Sequence, residues 1–384
     1  MQKLPKIPLW RDSRVIKIVI QVIILAIVIS AIAFLGSNLV NNLERLNLTF
    51  GFNFLSRSAS FSIAHPPIPY YTTDPYIRAL LVGLLNSLRV MFFGIIFASI
   101  LGITVGIGKL SNNWLVRKLA GVYVEVLRNT PLLLQLFFWY FAVFLRLPKI
   151  DRPLVIGNLF FLTNRGLDIP WFALSIRTGL ALGCILACFL VAIIAWIKRL
   201  QAIEQGEASQ PWLWLCGISL ITIILLFGFG IDWVVPQLTQ NSLQGGLNLS
   251  PEFATLLIGL SIYTAAFIAE VVRAGIQSVG KGQWEAAQAL GLQPTAMMQL
   301  IIFPQALRVI IPPLTSEFLN LAKNSSLAIA IGYSDIYAIG NTIANQTGKS
   351  VEVLLVIMIA YLTINLLISL GMNRFNRLVQ IKER

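Results

Sequence analysis

Apolar residues in this chain come in long unbroken runs rather than in alternating or helix-face patterns. Five runs lack charge over a length that crosses hydrocarbon: residues 18–36, 90–108, 178–197, 212–231 and 353–373. At 1.5 Å per residue, about 20 such residues span a bilayer core, so each predicts a transmembrane helix. Three further apolar stretches carry charges or prolines, at 119–145, 253–273 and a broken one at about 309–339. Counted as spans, they bring the total to about eight and put both chain ends on one side of the membrane.

The distribution of Lys and Arg fits that count. Those of residues 1–17, of the links at 109–118, 198–199 and 273–308, and of the C-terminus outnumber those on the other side, which include Arg45, Arg57, Arg78, Arg146, Lys149, Arg152, Arg165 and Lys349. The positive-inside rule therefore places both termini in the cytoplasm. The run at 18–36 also exceeds the roughly 7–15 residues of a signal-peptide core, so a retained helix is expected rather than cleavage after Ala31-Ile32-Ala33.

Composition narrows the class. Of 384 residues 57% are hydrophobic and only 12% charged, against roughly 25% charged in an average soluble domain. The net charge of +13 is topological, and no nucleic-acid partner is needed to explain it. With one His and three Cys, a His-rich metal centre is excluded. Cys184, Cys188 and Cys216 all lie in apolar runs, which excludes a disulfide framework, and Cys184 and Cys188 are expected to be packing residues. The external loop at 37–78 is too short for an independent substrate-binding domain. Neither the loop at 146–171 nor that at 232–252 shows a strong strand pattern. On the cytoplasmic side, 274–311 reads as amphipathic helix, with Trp284, Ala287, Leu290 and Met298 on one surface.

That cytoplasmic stretch contains Glu285-Ala286-Ala287-Gln288-Ala289-Leu290-Gly291, then nine residues, then Ile301-Ile302-Phe303-Pro304. Physically this predicts two short helices. Glu285 is expected near a helix start, where a carboxylate suits the dipole. Ala286 and Ala287 keep the helix slim enough to enter a groove, Gly291 permits the turn, and Pro304 marks the next boundary.

The spacing resembles the coupling motif of the inner-membrane permease subunits of bacterial ATP-binding-cassette importers, with Phe303 where Leu is usual. Tyr123-Val124-Glu125-Val126-Leu127-Arg128-Asn129-Thr130-Pro131-Leu132-Leu133-Leu134-Gln135 is similar to the signature of the polar and general amino-acid branch (histidine, glutamine and general L-amino-acid permeases), with Asn129 in place of Gly. Tyr263-Thr264-Ala265-Ala266-Phe267, Glu270 and Arg273 continue the likeness, as does Lys323-Asn324-Ser325-Ser326-Leu327. It covers about 79–145 and 253–375.

The resemblance implies an all-α membrane protein of the bacterial inner membrane, with about eight helices, five of them forming a type I permease core. It divides the chain into an N-terminal helix and loop (1–78), the first part of the core (79–146), an insertion with two helices (147–252) and the second part of the core (253–384), with the coupling helix at about 280–304. Expected partners are a dimer of ABC ATPase subunits, a second permease subunit, identical or homologous, and an extracytoplasmic amino-acid-binding protein. ATP and Mg would sit on the ATPase, and this chain would hold no cofactor and be no enzyme. Glu285, Ala286, Ala287, Gly291 and Pro304 would form the contact with the ATPase.

Charges within spans supply the candidate pathway. Glu125, Arg128, Glu270, Glu317 and Lys323 each cost roughly 2.5–3.5 kcal/mol at a bilayer centre, so they are expected to pair, meet water or sit near an interface. Glu125 and Arg128 are at i and i+3, suited to an intrahelical pair, and Pro131 frees the carbonyl near Leu127. A zwitterionic amino acid requires donors for its carboxylate and acceptors for its ammonium. Lys323, Asn324, Ser325 and Ser326 are candidates for the first, Glu270 or Glu317 for the second.

Two small-xxx-small steps, Gly102 to Gly106 and Gly179 to Gly183, are expected to allow close helix approach. Gly106-Ile107-Gly108-Lys109-Leu110 lacks the spacing of a phosphate loop. An ion-coupled secondary transporter is the alternative reading, although internal repeats are not evident. A His-dependent membrane hydrolase has only His65, beside prolines, to work with.

Overall fold

The computed structural model describes residues 13–45, 50–205, 210–239 and 242–379. The basic residues Lys3, Lys6, Arg11, Lys382 and Arg384 lie outside them.

Helix α1 (Ser13–Arg45) is followed by α2 (Tyr76–Gly108), α3 (Trp114–Arg128) and α4 (Leu132–Phe137), the last continuing through a π turn to Arg146. Strands β1 (Leu154–Ile156), β2 (Phe160–Thr163), β3 (Gly166–Ile169) and β4 (Trp171–Phe172) precede α5 (Ile176–Gln205) and α6 (Gln210–Leu225). Strands β5 (Trp233–Val234), β6 (Gln237–Thr239), β7 (Ser242–Gln244) and β8 (Leu247–Leu249) then lead into α7 (Pro251–Gln277). The chain ends with α8 (Lys281–Ala289), α9 (Pro294–Met297), α10 (Phe303–Asn324), α11 (Ile336–Thr347) and α12 (Ser350–Val379).

Among the described residues seven helices are long and apolar enough to cross a membrane, and the count reaches eight when the bent pair α3–α4 is taken as one span. The 104° bend falls on Asn129-Thr130-Pro131, because Pro131 has no N–H to donate and disfavours helix at Thr130.

The core is α2 beside α7. Arg89 meets Phe253, Gly102 meets Ile268 and Gly106 meets Val272, so the two helices run in the same direction. A Cβ on Gly102 would lie 2.6 Å from Ile268 Cβ, and one on Gly106 2.8 Å from the Ala269 carbonyl oxygen. Helix α10 crosses back along α7, with Ile310 against Gly275. Buried Leu256, Leu260, Ile268, Ile302 and Leu321 fill the space between them. Where hydrocarbon surrounds a bundle, such close packing rather than water exclusion holds helices together.

Three expectations change. The broken span ends earlier than 339: the helix containing Pro312 and Pro313 runs from Pro294 to Ile331, and Gly332, at φ +77°, closes it in the left-handed region. Ile339 belongs to α11, whose cap Asp335 accepts from the Ala338 N–H at 2.8 Å.

The two insertion loops, in which no strand pattern was legible, pair with one another in the antiparallel order β1-β2-β3-β8. Their strands are three or four residues long, too short for alternation to register, and Asp168 faces Asn248 across a sequence gap of 80.

Among the described residues Gly179 and Gly183 have no neighbour within 4 Å of an added Cβ, so the expected close helix approach is not seen there. Helices α5 and α6 pack on each other, with Cys216 Sγ 3.6 Å from the Ala192 oxygen.

The segment after α1 docks on the sheet-bearing end of the bundle. Phe54, Ala59 and Ile63 are buried with Tyr76, Ile339 and Val353, and Gly51 N–H donates to Glu352 Oε1 at 3.1 Å. Glu352, 2% exposed, also pairs with Lys349 at 3.3 Å.

Candidate functional site

At the opposite end, α8 and α9 form a helical hairpin. Gly291 takes φ +69°. Its N–H donates to the Gln288 oxygen at 2.9 Å, while Leu292 N–H reaches back to the Ala287 oxygen at 3.2 Å. These two bonds are a Schellman cap, which needs a residue able to occupy the left-handed region.

One face of the hairpin is internal: Ala287, Met297 and Ile302 are buried in the main core, with Trp284, Leu292 and Met298 against it. The other is open: Glu285 and Ala286 are exposed, and Leu290 and Leu300 are 76% and 69% exposed. A Gln305–Gln283 hydrogen bond of 3.1 Å ties the hairpin to α10. Met297 passes through a π turn into α10 without a break, so α9 and α10 form one continuous helix.

Three readings of this motif are corrected. Glu285 lies beyond the first turn of α8, which holds no acidic residue, so the helix dipole does not explain it. Ala287 packs inside its own chain, and of the Ala286-Ala287 pair Ala286 alone is exposed. Pro304 sits half-buried in the first turn of α10, within a helix that runs on from Pro294 to Ile331, so it marks no boundary.

The intramembrane charges separate into three places. Glu270 is bound by Lys109 Nζ and by Arg273, whose Nη2 lies at 2.8 Å, while Arg273 Nη1 donates to Gln277 at 2.7 Å. Both carboxylate oxygens are thus engaged at the hairpin end of α2 and α7, and Glu270 is not an acceptor awaiting an ammonium. Glu125 lines a cavity of about 420 Å³ with Lys109, Arg117, Lys118 and Arg273. Among the described residues it makes no ion pair with Arg128, so the expected i, i+3 pair is absent.

Arg128 turns instead at the bend, 5.1 Å over the Phe267 ring. It attracts Glu317 of α10, which is also hydrogen-bonded by Asn320. The carbonyl that Pro131 frees does not stay open: buried Gln135 donates from Nε2 to the Leu127 and Thr130 oxygens, each at 3.0 Å. Arg128, Phe267, Glu317 and Asn320 therefore bring a cation, an aromatic face, a carboxylate and an amide together where the span breaks.

Lys323, Asn324, Ser325 and Ser326 do not join them as a set. Lys323 is exposed in a groove with Tyr337, Met358 and Tyr361, roughly 120° around α10 from Glu317 by helical geometry. The Ser325 and Ser326 hydroxyls donate to the Ala322 and Lys323 oxygens, each at 2.8 Å, which occupies the donors meant for a carboxylate. Asn324 is half-buried at the end of α10. Sequence reasoning missed Gln135 and Phe267 as site residues, although both stand inside the signature stretches.

Residues 208–381 match the family described as the binding-protein-dependent transport system inner membrane component. The chain is 44% identical over 381 residues to the general L-amino acid transport system permease protein AapQ of Rhizobium johnstonii, covering 97% of this chain and 94% of that protein. It is 40% identical over 407 residues to the glutamate/glutamine/aspartate/asparagine transport system permease protein BztB of Rhodobacter capsulatus, covering 97% and 96%. A crystal structure of an amino acid ABC transporter with histidines aligns with 79% of this chain and 94% of that chain at 22% identity, with a TM-score of 0.48. Identity of this order along nearly the whole length of both relatives shows that the chain belongs to the amino-acid ABC transporter permease proteins, inner-membrane components of binding-protein-dependent transport systems.

Proposed function

We propose that this chain moves an L-amino acid inward through a pathway past the bend of α3–α4, driven by an ATPase that grips the open face of the α8–α9 hairpin. As a member of its family it is a multi-pass inner-membrane translocation subunit, and ATP hydrolysis belongs to a partner. The observation that carries the reading is the hairpin's two-sided build. Glu285, Ala286, Leu290 and Leu300 are presented outward, while Ala287 and Met297 are locked into the core and lead without interruption into α10.

A displacement of the hairpin moves α10 and with it Glu317 relative to Arg128. That is how closure of two ATPase subunits would switch the site between outward and inward access. Arg128 offers a planar fork for the substrate carboxylate, and Glu317 with Asn320 offers acceptors for its ammonium. The assembly is completed by a second permease subunit, identical or homologous, and an external binding protein, with both termini and the hairpin in the cytoplasm. An ion-coupled mechanism has no use for such a hairpin.

The test is coupling. In proteoliposomes holding the assembled transporter, Gly291→Val is expected to keep the ATPase bound and to lower uptake per ATP hydrolysed at least tenfold. Wild-type uptake by a stably assembled variant overturns the proposal.

A further inference from the structure

At the end of the bundle opposite the hairpin, α2, the first turn of α7 and the sheet enclose a cavity of about 530 Å³, within the range of small-molecule sites. Arg89 reaches it from α2, Asp168 and Asn248 from the adjoining strands β3 and β8, and Glu252 from α7. The Arg89 guanidinium lies 4.0 Å over the Phe253 ring beside the Tyr333 hydroxyl. Stacked this way, the guanidinium keeps donors in its plane. Among the described residues Arg89 makes no ion pair, and its buried Nε has no hydrogen-bond partner.

The opposite wall has the complementary vacancy. Asp168 is 5% exposed and accepts from Asn248 Nδ2 at 2.9 Å, while Asn248 Oδ1 is buried without a partner. Burial pushes the Asp168 carboxyl above its usual range, against the Asn248 hydrogen bond and the attraction of His65. Glu252 accepts from the Tyr140 hydroxyl at 2.9 Å, which leaves its second oxygen for another donor. Arg89 and the more exposed Arg165, neither in an ion pair among the described residues, stand around one cavity with Glu252 and with Asp168, whose one cationic neighbour is His65; a ligand carrying both charges would complete this arrangement.

We propose that this cavity binds the head group of a zwitterionic amino acid, with Arg89 taking the α-carboxylate and Asp168 and Glu252 facing the ammonium. The proposal rests on the reading of the chain as an amino-acid permease and extends it: substrate is held here before it reaches Arg128 and Glu317. It also gives the 147–252 insertion a task, since Asp168, Asn248 and Glu252 all come from it.

The test is equilibrium binding of radiolabelled L-leucine to the assembled transporter in lipid nanodiscs without ATP, paired with ATP-driven uptake in proteoliposomes. Leucine is chosen because its side chain adds no charge. L-Leucinamide and 4-methylpentanoate, which lack the carboxylate and the ammonium respectively, are expected to compete at least tenfold more weakly than leucine. Arg89→Met and Asp168→Asn are each expected to weaken leucine binding roughly tenfold or more, with Arg89→Lys restoring part of the loss. Should Arg89→Met fail to assemble, the nearly isosteric Asp168→Asn decides alone. No leucine binding by the wild type, or binding unchanged in Asp168→Asn, overturns the proposal; in the latter case ATP-driven uptake leaves the transport reading standing. Asp168-dependent binding in a transporter that does not move leucine with ATP overturns the transport reading and keeps the cavity.

Discussion

Gly102 and Gly106 in α2 have the same spacing as Gly179 and Gly183 in α5, yet they meet different surroundings. An added Cβ on the first pair would strike Ile268, the Ala269 carbonyl or Val272, whereas the second pair faces open space. Helix α2 is clamped to α7 along its length, while the hairpin of α5 and α6 packs on itself. A small-xxx-small step therefore permits close approach without creating it. What turns the step into an interface is a second helix whose own shape fits, as Ala265, Ile268 and Ala269 do.

The contrast is easiest to break at the glycines. Gly106→Leu is expected to cost about 3 kcal/mol or more, since the obstructing atoms are backbone and a β-branched side chain that cannot swing aside. Gly183→Leu should leave the thermal midpoint of the purified protein unchanged. Equal losses in the two variants would mean that α5 is clamped as tightly as α2.

Ion pairs sharpen the comparison at a second level. The carboxylate of Glu352, with 2% side-chain exposure, is bound by Lys349 at 3.3 Å and by Gly51 N–H. Glu352→Ala, which removes a buried carboxylate held by Lys349 and by the Gly51 N–H of the 50–75 segment, should cost about 3 kcal/mol. In the hairpin region Arg177 meets Asp232 at 3.2 Å with 65% exposure of its side chain, and Arg177→Ala should cost at most about 1 kcal/mol. Denaturant midpoints of the two variants measured side by side check the order.

The smallest effect expected is at Asp168, in the sheet that joins the two insertion loops. Its folded-state pKa is raised by burial. The folded chain therefore holds the proton more tightly than the unfolded one, whose value lies near about 3.9. The stability this contributes is fully present below that value and is lost as pH rises through the folded pKa. Asp168→Asn should flatten that part of the profile and leave the variant relatively more stable near neutrality, read as thermal midpoint against pH. A variant with the wild-type slope would assign the titration to another group.

Most of the membrane architecture was legible along the chain. The charge-free runs became α1, α2, α5, α6 and α12, whereas the stretch at 119–145, expected as one span, is broken before Pro131. Gly291 was correctly read as a turn because its role is local, set by the backbone angles of one residue. Glu270 was misjudged for the opposite reason: its partner Lys109 lies 161 positions away, and a carboxylate awaiting substrate has the same sequence appearance as one already paired. Ser325 and Ser326 were misjudged because a hydroxyl near a helix end can turn back on its own backbone, which spacing alone does not reveal. Strands β1 to β3 and β8 escaped notice because short segments carry too few positions to display a period.

Hydrophobic run length by itself determined a multi-span membrane protein, and the long spacing of the Glu285–Pro304 motif carried the resemblance to the permease family. Each depends on the chain's covalent order and on the bilayer's fixed thickness. Only the tertiary structure decided which charges pair, which glycines touch, and that Arg89, Asp168 and Glu252 surround one cavity. Those outcomes depend on distances between residues far apart in sequence, set by how helices pack once they are already in the membrane.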